Sequence, residues 1–429
     1  MRDAPALRST QRAAGTTRTA MEAVAQQARI RAKYAAESWL GLRPFVQREL
    51  SGHASAARTF STPALDDATM AGIKLVWASA AFFKQSRPLQ LLYIAGAQPL
   101  LRRLHERLYR RVLAACERHG PVARAVPIPT YDWREGTPED FYRRFIENPH
   151  PVILRGFARD TEAVRSWRFD AMLARFGDER VLLTRADKDG FDGTLAQVDD
   201  PSVYIHNCEV VFRRYPELLA QLELERLEPY IKKGLGYAQL FLGRGGTGSP
   251  FHAAAVWNWF VMVEGRKTWY FVDPRDSVFL YPFPVMGRAA SFALCLFPDE
   301  YDAEQFPAFA WCPYYEATLE PGDVLLNPPW WWHAIRNVSP TTIGVASRWH
   351  GDGRVGRDAR MTEEDYRISP FFSWLFQVGP ASVPFLHRIL RDPSPRADGE
   401  HTLRERKNRY TDRQREFATR EVFGRRLRF

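Results

Sequence analysis

The spacing of apolar residues changes character along the chain. Residues 21–50 are dominated by Ala, Gln and Arg and predict a helix up to Pro44. Helical patterning returns from about 68 to 119, where Leu101, Leu104, Leu108 and Val112 recur at steps of three and four and Gly120 supplies a stop. "TPEDFYRRF" starts another helix, with Thr137 as N-cap, Pro138 at the first position and acids in the first turn. "PVILRGF" (Pro151 to Phe157) is a short β-branched run closed by glycine, which predicts a buried strand. From Tyr237 onward strands dominate: "GYAQLFLG", "NWFVMVEG", "RKTWYFVDP", "GDVLLNPP" and "TTIGVASRW". Each is short and bounded by Gly, Pro or Asp, the pattern of an all-β barrel or sandwich. After about 360 the chain turns helical and charged, punctuated by Pro384, Pro393 and Pro395, and no internal repeat is found.

These readings divide the chain into a disordered basic tail over 1–20, a helical region over 21–125, a barrel over 126–350 and a helical, basic region over 351–429. Composition adds limits. The 429 residues are 45% hydrophobic and 26% charged, ordinary for a globular protein. Cys116, Cys208, Cys295 and Cys312 form no CxxC pair, which argues against a disulfide framework or structural zinc and leads us to expect a reducing, cytoplasmic setting. The net charge of +10 sits on the flanks: residues 1–125 hold 20 Lys/Arg against 8 Asp/Glu, and 351–429 hold 17 against 12, so the middle is acidic. Solvated helix faces would account for this. So would docking to an acidic partner, such as a carrier protein bearing a tethered substrate. No nucleic-acid motif is present, and a nucleic-acid partner is not expected. No segment reaches the roughly 20 apolar residues of a membrane span; the best run, Ala71 to Phe83, contains Lys74. The helical additions could form a homodimer interface or cover a substrate mouth.

The candidate chemistry lies in the strand-rich part. His252 follows "GRGGTGSPF", a loop running into a strand. His333 follows "PGDVLLNPPWWW", a strand, a proline turn and three tryptophans, 81 residues later. A small barrel can bring two such positions together, and neutral imidazoles suit Fe(II). Spacing alone is weak evidence, because a lone histidine is more often a surface or hydrogen-bonded core residue.

The surrounding motifs carry more weight. "PVILRGF", "GSPFHxxxxxN", "GRKTWYFVDP" and "PGDVLLNPPWWWHAIRN" occur in that order over about 150–350. Together they resemble the JmjC and JmjC-like cupin family of Fe(II)/2-oxoglutarate oxygenases. The resemblance implies a mainly β core, a double-stranded β-helix (jelly-roll or cupin barrel), with helical N- and C-terminal extensions. It implies His252 and His333 as iron ligands, with O2 and 2-oxoglutarate as co-substrates. It also suggests Ser249 and Lys267 as contacts to the distal carboxylate of 2-oxoglutarate, where a hydroxyl and an ammonium are suitable partners. Asn258 and Ser347 match positions lining the cofactor pocket, and Tyr237 is a further candidate on the strand before the loop. Each has a plainer reading. Lys267 could be a hairpin charge, Asn258 could bond its own backbone, and Trp330 to Trp332 read better as wall and core than as cofactor contacts.

One position departs from the family. Two residues after the first histidine the family usually has an iron-binding carboxylate; here stands Ala254, flanked by Ala253 and Ala255, with no acid before Glu264. Three explanations compete. The preferred one resembles iron/2-oxoglutarate halogenases of a related barrel class: a methyl group leaves room for chloride on the iron, and chlorine is delivered to the substrate carbon. In the second, two histidines suffice for hydroxylation, with water or a distant acid such as Glu209 or Asp273 completing the shell. In the third, the site is inactive and the barrel is a binding module.

Overall fold

The computed structural model describes residues 60–83, 96–185, 188–254, 256–284 and 290–350. The basic tail over 1–20, the helix expected over 21–50 and the helical region over 351–429 lie outside these residues. Among the described residues two long helices come first, α1 (Asp67–Phe83) and α2 (Gln98–His119). In α2 the stripe read from the sequence is the packing face: Leu108 and Val112 are buried, and Leu101 and Leu104 lie half-buried beside the same cluster. Gly120 ends the helix at φ 80°, its N–H donating to the Cys116 carbonyl at 3.1 Å. The helix starting at Pro138 is capped as its sequence dictates, Thr137 Oγ1 accepting from the Asp140 N–H at 3.2 Å.

Among the described residues fifteen strands follow: β1 (Ala125–Pro127), β2 (Val152–Leu154), β3 (Arg180–Arg185), β4 (Lys188–Thr194), β5 (Val203–Cys208), β6 (Gly234–Arg244), β7 (Gly248–Ala254), β8 (Trp257–Glu264), β9 (Lys267–Val272), β10 (Pro282–Pro284), β11 (Ala290–Ala293), β12 (Tyr314–Leu319), β13 (Val324–Asn327), β14 (Trp332–Asn337) and β15 (Thr341–His350). They form two sheets. One has the order β1-β12-β9-β14-β7-β11-β10 and the other β2-β13-β8-β15-β6-β5-β3-β4. Every ladder within them is antiparallel except β1 on β12. Between β6 and β9, and again between β13 and β15, the chain changes sheet at every strand. That alternation winds it into a double-stranded β-helix, so partners far apart in sequence become neighbours.

Period-two alternation sorts side chains into three layers. Phe260, Met262, Leu325, Trp269, Phe271 and Ile335 fill the space between the sheets. Trp257, Trp259, Val261, Val345 and Trp349 face the other way, onto a layer holding Phe141, Phe169 and Phe212. On the outside of the seven-stranded sheet, Phe251, Ala253, Val272 and Ala334 pack with Leu108 and Val112 of α2.

The turns on either side of β13 are braced at several points. Asp323, 3% exposed, accepts from the Gly156 and Glu320 N–H groups at 2.9 Å each and from Arg155 Nη1 at 2.5 Å, which ties β13 to the end of β2. Trp331 Nε1 donates to the Pro149 carbonyl at 3.0 Å and Trp332 Nε1 to Ser277 Oγ at 2.8 Å. All three tryptophans are buried, as wall and core. They set where His333 enters the barrel.

Candidate active site

β7 and β14 are adjacent and antiparallel, and His333 stands directly opposite His252. Their ring centroids are 4.2 Å apart with planes inclined at 53°. Each ring is oriented by the carbonyl two residues earlier: His252 Nδ1 lies 2.8 Å from the Pro250 oxygen and His333 Nδ1 2.9 Å from the Trp331 oxygen. An Nδ1–H donating to a carbonyl puts the lone pair on Nε2, as a metal ligand requires. Trp269 stacks on His333 at 5.9 Å, and Phe271 lies at the same distance. Burial, and then the neighbouring His252, hold the His333 pKa well below the usual imidazole value. The ring is therefore neutral and ready to coordinate.

Ala254 follows His252 at period two on the same face of β7, half-buried. Its carbonyl accepts from the Trp330 N–H at 2.7 Å, and Trp330 adopts φ 64° to make that contact. Such a backbone is uncommon for a bulky residue and persists only where the surroundings enforce it. Among the described residues no group of three or more His, Cys, Asp or Glu is placed to hold a metal. The two acids considered from sequence are engaged elsewhere. Glu209 accepts from Gln239 Nε2 at 3.0 Å, and Asp273 is bound by Arg275 Nε and caps the turn that begins at Pro274.

Lys267 is fully buried on β9. Its ammonium donates to Thr342 Oγ1 at 3.0 Å and to Asn337 Oδ1, and stands 5.4 Å from the Tyr204 ring centroid. Asn337 Nδ2 is held in turn by Thr247 Oγ1 at 2.7 Å, and Thr342 Oγ1 donates to the Gly243 carbonyl at 3.1 Å. Among the described residues no carboxylate forms an ion pair with this lysine, and burial alone pushes its pKa down to about 7. A buried cation with neutral partners is a place where an anionic ligand gains strongly. The donor set fits a carboxylate.

The remaining candidates are placed as follows. Ser249 is half-buried on β7, opposite the interior residue Ile335 across a register irregularity. Tyr237 on β6 and Asn258 on β8 both pair with Arg348 and face the interior. Ser347 is not brought to this group, a correction to the expectation from motif position. It pairs with Ala238 and Trp259, whose side chains face the outer layer. Its Oγ donates to the Trp259 carbonyl at 3.1 Å and accepts from Trp349 Nε1 at 2.9 Å. Arg348, one residue on, takes the inward position instead. Its guanidinium bonds Gln239 Oε1 at 3.2 Å, and its charge reaches His333. Sequence reasoning missed Tyr204, Thr247, Asn337 and Thr342 around the lysine. Asn337 was within reach, because it follows His333 and Ile335 at period two. The others come from distant strands or loops and carry no local signal.

The profile of the cupin-like domain family matches residues 189–353. Human HSPB1-associated protein 1 is 32% identical over 109 residues, 25% of this chain and 22% of that protein. JmjC domain-containing protein D of Dictyostelium discoideum is 32% identical over 181 residues, 38% of this chain and 37% of its own. A protein named arginine-specific demethylase JMJ20, from Arabidopsis thaliana, is 26% identical over 259 residues, 49% of this chain and 54% of the relative. The matches thus span less than a quarter of the length of the first relative and about half that of the last. The barrel is a cupin-like domain similar to proteins named for the JmjC domain.

Proposed function

We propose that the barrel binds iron(II) through His252 and His333, takes 2-oxoglutarate by a carboxylate at Lys267 and seats chloride beside Ala254, acting as an oxidative halogenase on an unactivated C–H bond. The observation that carries this reading is the alanine on the histidine face, in a site where no third protein ligand is grouped with the pair among the described residues. A methyl group adds neither charge nor bulk, so an exogenous anion meets no competing carboxylate there. The coarser part, an iron- and 2-oxoglutarate-dependent oxygenase, agrees with the JmjC-named relatives.

Iron(II), 2-oxoglutarate and O2 would together supply an oxidant for the C–H bond, and the anion beside the metal would decide whether halogen or hydroxyl reaches carbon. The protein's own part is preparation. The Pro250 and Trp331 carbonyls aim the two imidazoles. Burial keeps His333 unprotonated at neutral pH, so no proton competes with the metal. The Lys267 ammonium, pre-aligned by Asn337 and Thr342, orients the cofactor carboxylate. Trp330 pins the Ala254 backbone.

A second reading, oxygenation with water in the third position, draws on the demethylase name of the Arabidopsis relative. Ala254→Asp separates the readings, with products weighed by mass spectrometry in chloride and in chloride-free buffer. For a halogenase, chlorinated product should disappear in the variant while iron is retained, because the new carboxylate occupies the anion position. An oxygenated wild-type product made at rates indifferent to chloride would refute the halogenase reading. No turnover in either protein would favour a binding module.

A further inference from the structure

The two helices outside the barrel carry a surface of one sign. α1 and α2 bury their inner faces in one apolar cluster on the seven-stranded sheet, through Ile73, Val76, Trp77, Leu108, Tyr109 and Val112. Their outer faces are therefore turned away from the barrel. On α2, at 3.6 residues per turn, Arg103, Arg107, Arg110, Arg111 and Arg118 fall within an arc of about 100°, opposite the buried stripe. All five are exposed, and no acid lies inside the arc. The two glutamates of the helix, Glu106 and Glu117, stand beyond one edge of it, and Glu106 is held by Arg102 at 3.0 Å. Arg111 has the Asp66 carboxylate near it, which is itself bonded to Thr69. Arg103, Arg107, Arg110 and Arg118 form no ion pair among the described residues.

A face kept only for solubility interleaves the two signs, as Arg102 and Glu106 do. This one runs about 22 Å from Arg103 to Arg118, more than twice the roughly 8 Å over which salt screens a charge. A small anion would meet one or two of these guanidinium groups, whereas an extended anionic surface meets them all. Apolar side chains narrow the choice. Among the described residues three large hydrophobic side chains are exposed, and two of them are here. Leu100, 70% exposed, lies on the arginine arc, and Leu75, 59% exposed, lies on the outer face of α1 with Ala68 and Ala71. An acidic protein helix would set carboxylates against these leucines. A bilayer with anionic lipids takes both kinds of group together, headgroups at the level of the guanidinium groups and leucines at the acyl boundary.

We propose that the outer face of α1 and α2 docks the protein on an anionic lipid surface, the five arginines meeting the headgroups while Leu75 and Leu100 enter the interface. The docking is peripheral: no helix among the described residues is long and apolar enough to cross a membrane. It is independent of the chemistry assigned to the barrel, and its test needs neither iron nor 2-oxoglutarate.

The test is sedimentation of the full-length protein with vesicles of phosphatidylcholine containing about 30% phosphatidylserine, and with vesicles of phosphatidylcholine alone. The wild type should bind the anionic vesicles at least about tenfold more tightly than the neutral ones. Raising NaCl from about 50 to about 300 mM should weaken that binding at least about tenfold. The triple variant Arg103→Gln/Arg107→Gln/Arg110→Gln should bind at least about twentyfold more weakly than the wild type. Leu75→Ser/Leu100→Ser should bind at least about threefold more weakly at unchanged charge. The altered side chains are exposed, so both variants should melt within about 2 °C of the wild type. Unchanged vesicle binding by the triple variant would overturn the proposal and move any lipid affinity to the basic flanks. Equal binding to neutral vesicles would overturn it as well. So would soluble polyglutamate that binds as tightly as the anionic vesicles and is indifferent to the leucines, in favour of an acidic protein partner.

Discussion

Replacing Lys267 by Met tests the anion site without any cofactor. The side chain is fully buried, and its pKa is depressed from 10.5 to about 7 by burial. That depression corresponds to about 5 kcal/mol of unfavourable charge burial. Below pH 7 both folded and unfolded chains carry the proton and the cost is felt in full. Between pH 7 and 10.5 the folded protein has released a proton that the unfolded chain still holds, so stability rises with pH. From pH 7 to 9 the gain is about 2 kcal/mol. Methionine fills similar volume without charge, but it leaves Asn337 Oδ1 and Thr342 Oγ1 without their donor, a loss of about 1–3 kcal/mol. Lys267→Met should therefore be about 2 kcal/mol more stable than wild type at pH 7, and nearly equal to it at pH 9. Urea unfolding of both proteins at pH 6, 7, 8 and 9 measures this. Groups such as Tyr204 and Cys295, whose pKa values burial raises, act on both proteins and cancel in the difference. Parallel pH profiles, or a variant less stable at pH 7, would show that the ammonium is not an uncompensated buried charge. In the wild type 2-oxoglutarate should restore the proton, so its affinity should fall above pH 7 by up to about tenfold per pH unit.

Two other outcomes follow from the same geometry. His252→Ala or His333→Ala should remove anaerobic iron(II) binding in calorimetry, because each deletes one of two cofacing imidazoles; iron held at wild-type affinity would refute the ligand assignment. Asp323→Ala should cost about 2–4 kcal/mol in urea unfolding, since it strands the Gly156 and Glu320 N–H groups, while the half-exposed Arg155 keeps its bond to the Thr318 carbonyl; a loss under about 0.5 kcal/mol would show that the junction of β13 with β2 does not depend on this carboxylate.

Much of the fold was legible because its signals are local. Glycines, prolines and aspartates bound the strands, the Leu101-to-Val112 stripe marks the packing face of α2, and Thr137 reads as a cap from its neighbours alone. The two histidines and Lys267 were found through motif spacing. In the structure the histidines stand opposite one another on adjacent strands and the lysine is fully buried. The same procedure misjudged Ser347 by one residue. A strand alternates faces at every step, and a motif position does not show which face is inward unless the partner strands are known.

The sequence by itself determined which residue types were available: two imidazoles, a lysine, and an alanine where an acid might have stood. Those facts are covalent and need no fold. Only the tertiary structure decided what surrounds them. Lys267 lies against Tyr204, Asn337 and Thr342 because β5, β14 and β15 wind back across the barrel. It lowers the lysine's pKa because desolvation is a property of the enclosure and not of the residue. The pairing of Asn258 with Asn327, 69 positions apart in the chain, has the same origin. Cross-strand register is set by long-range packing, and no short window of sequence contains it.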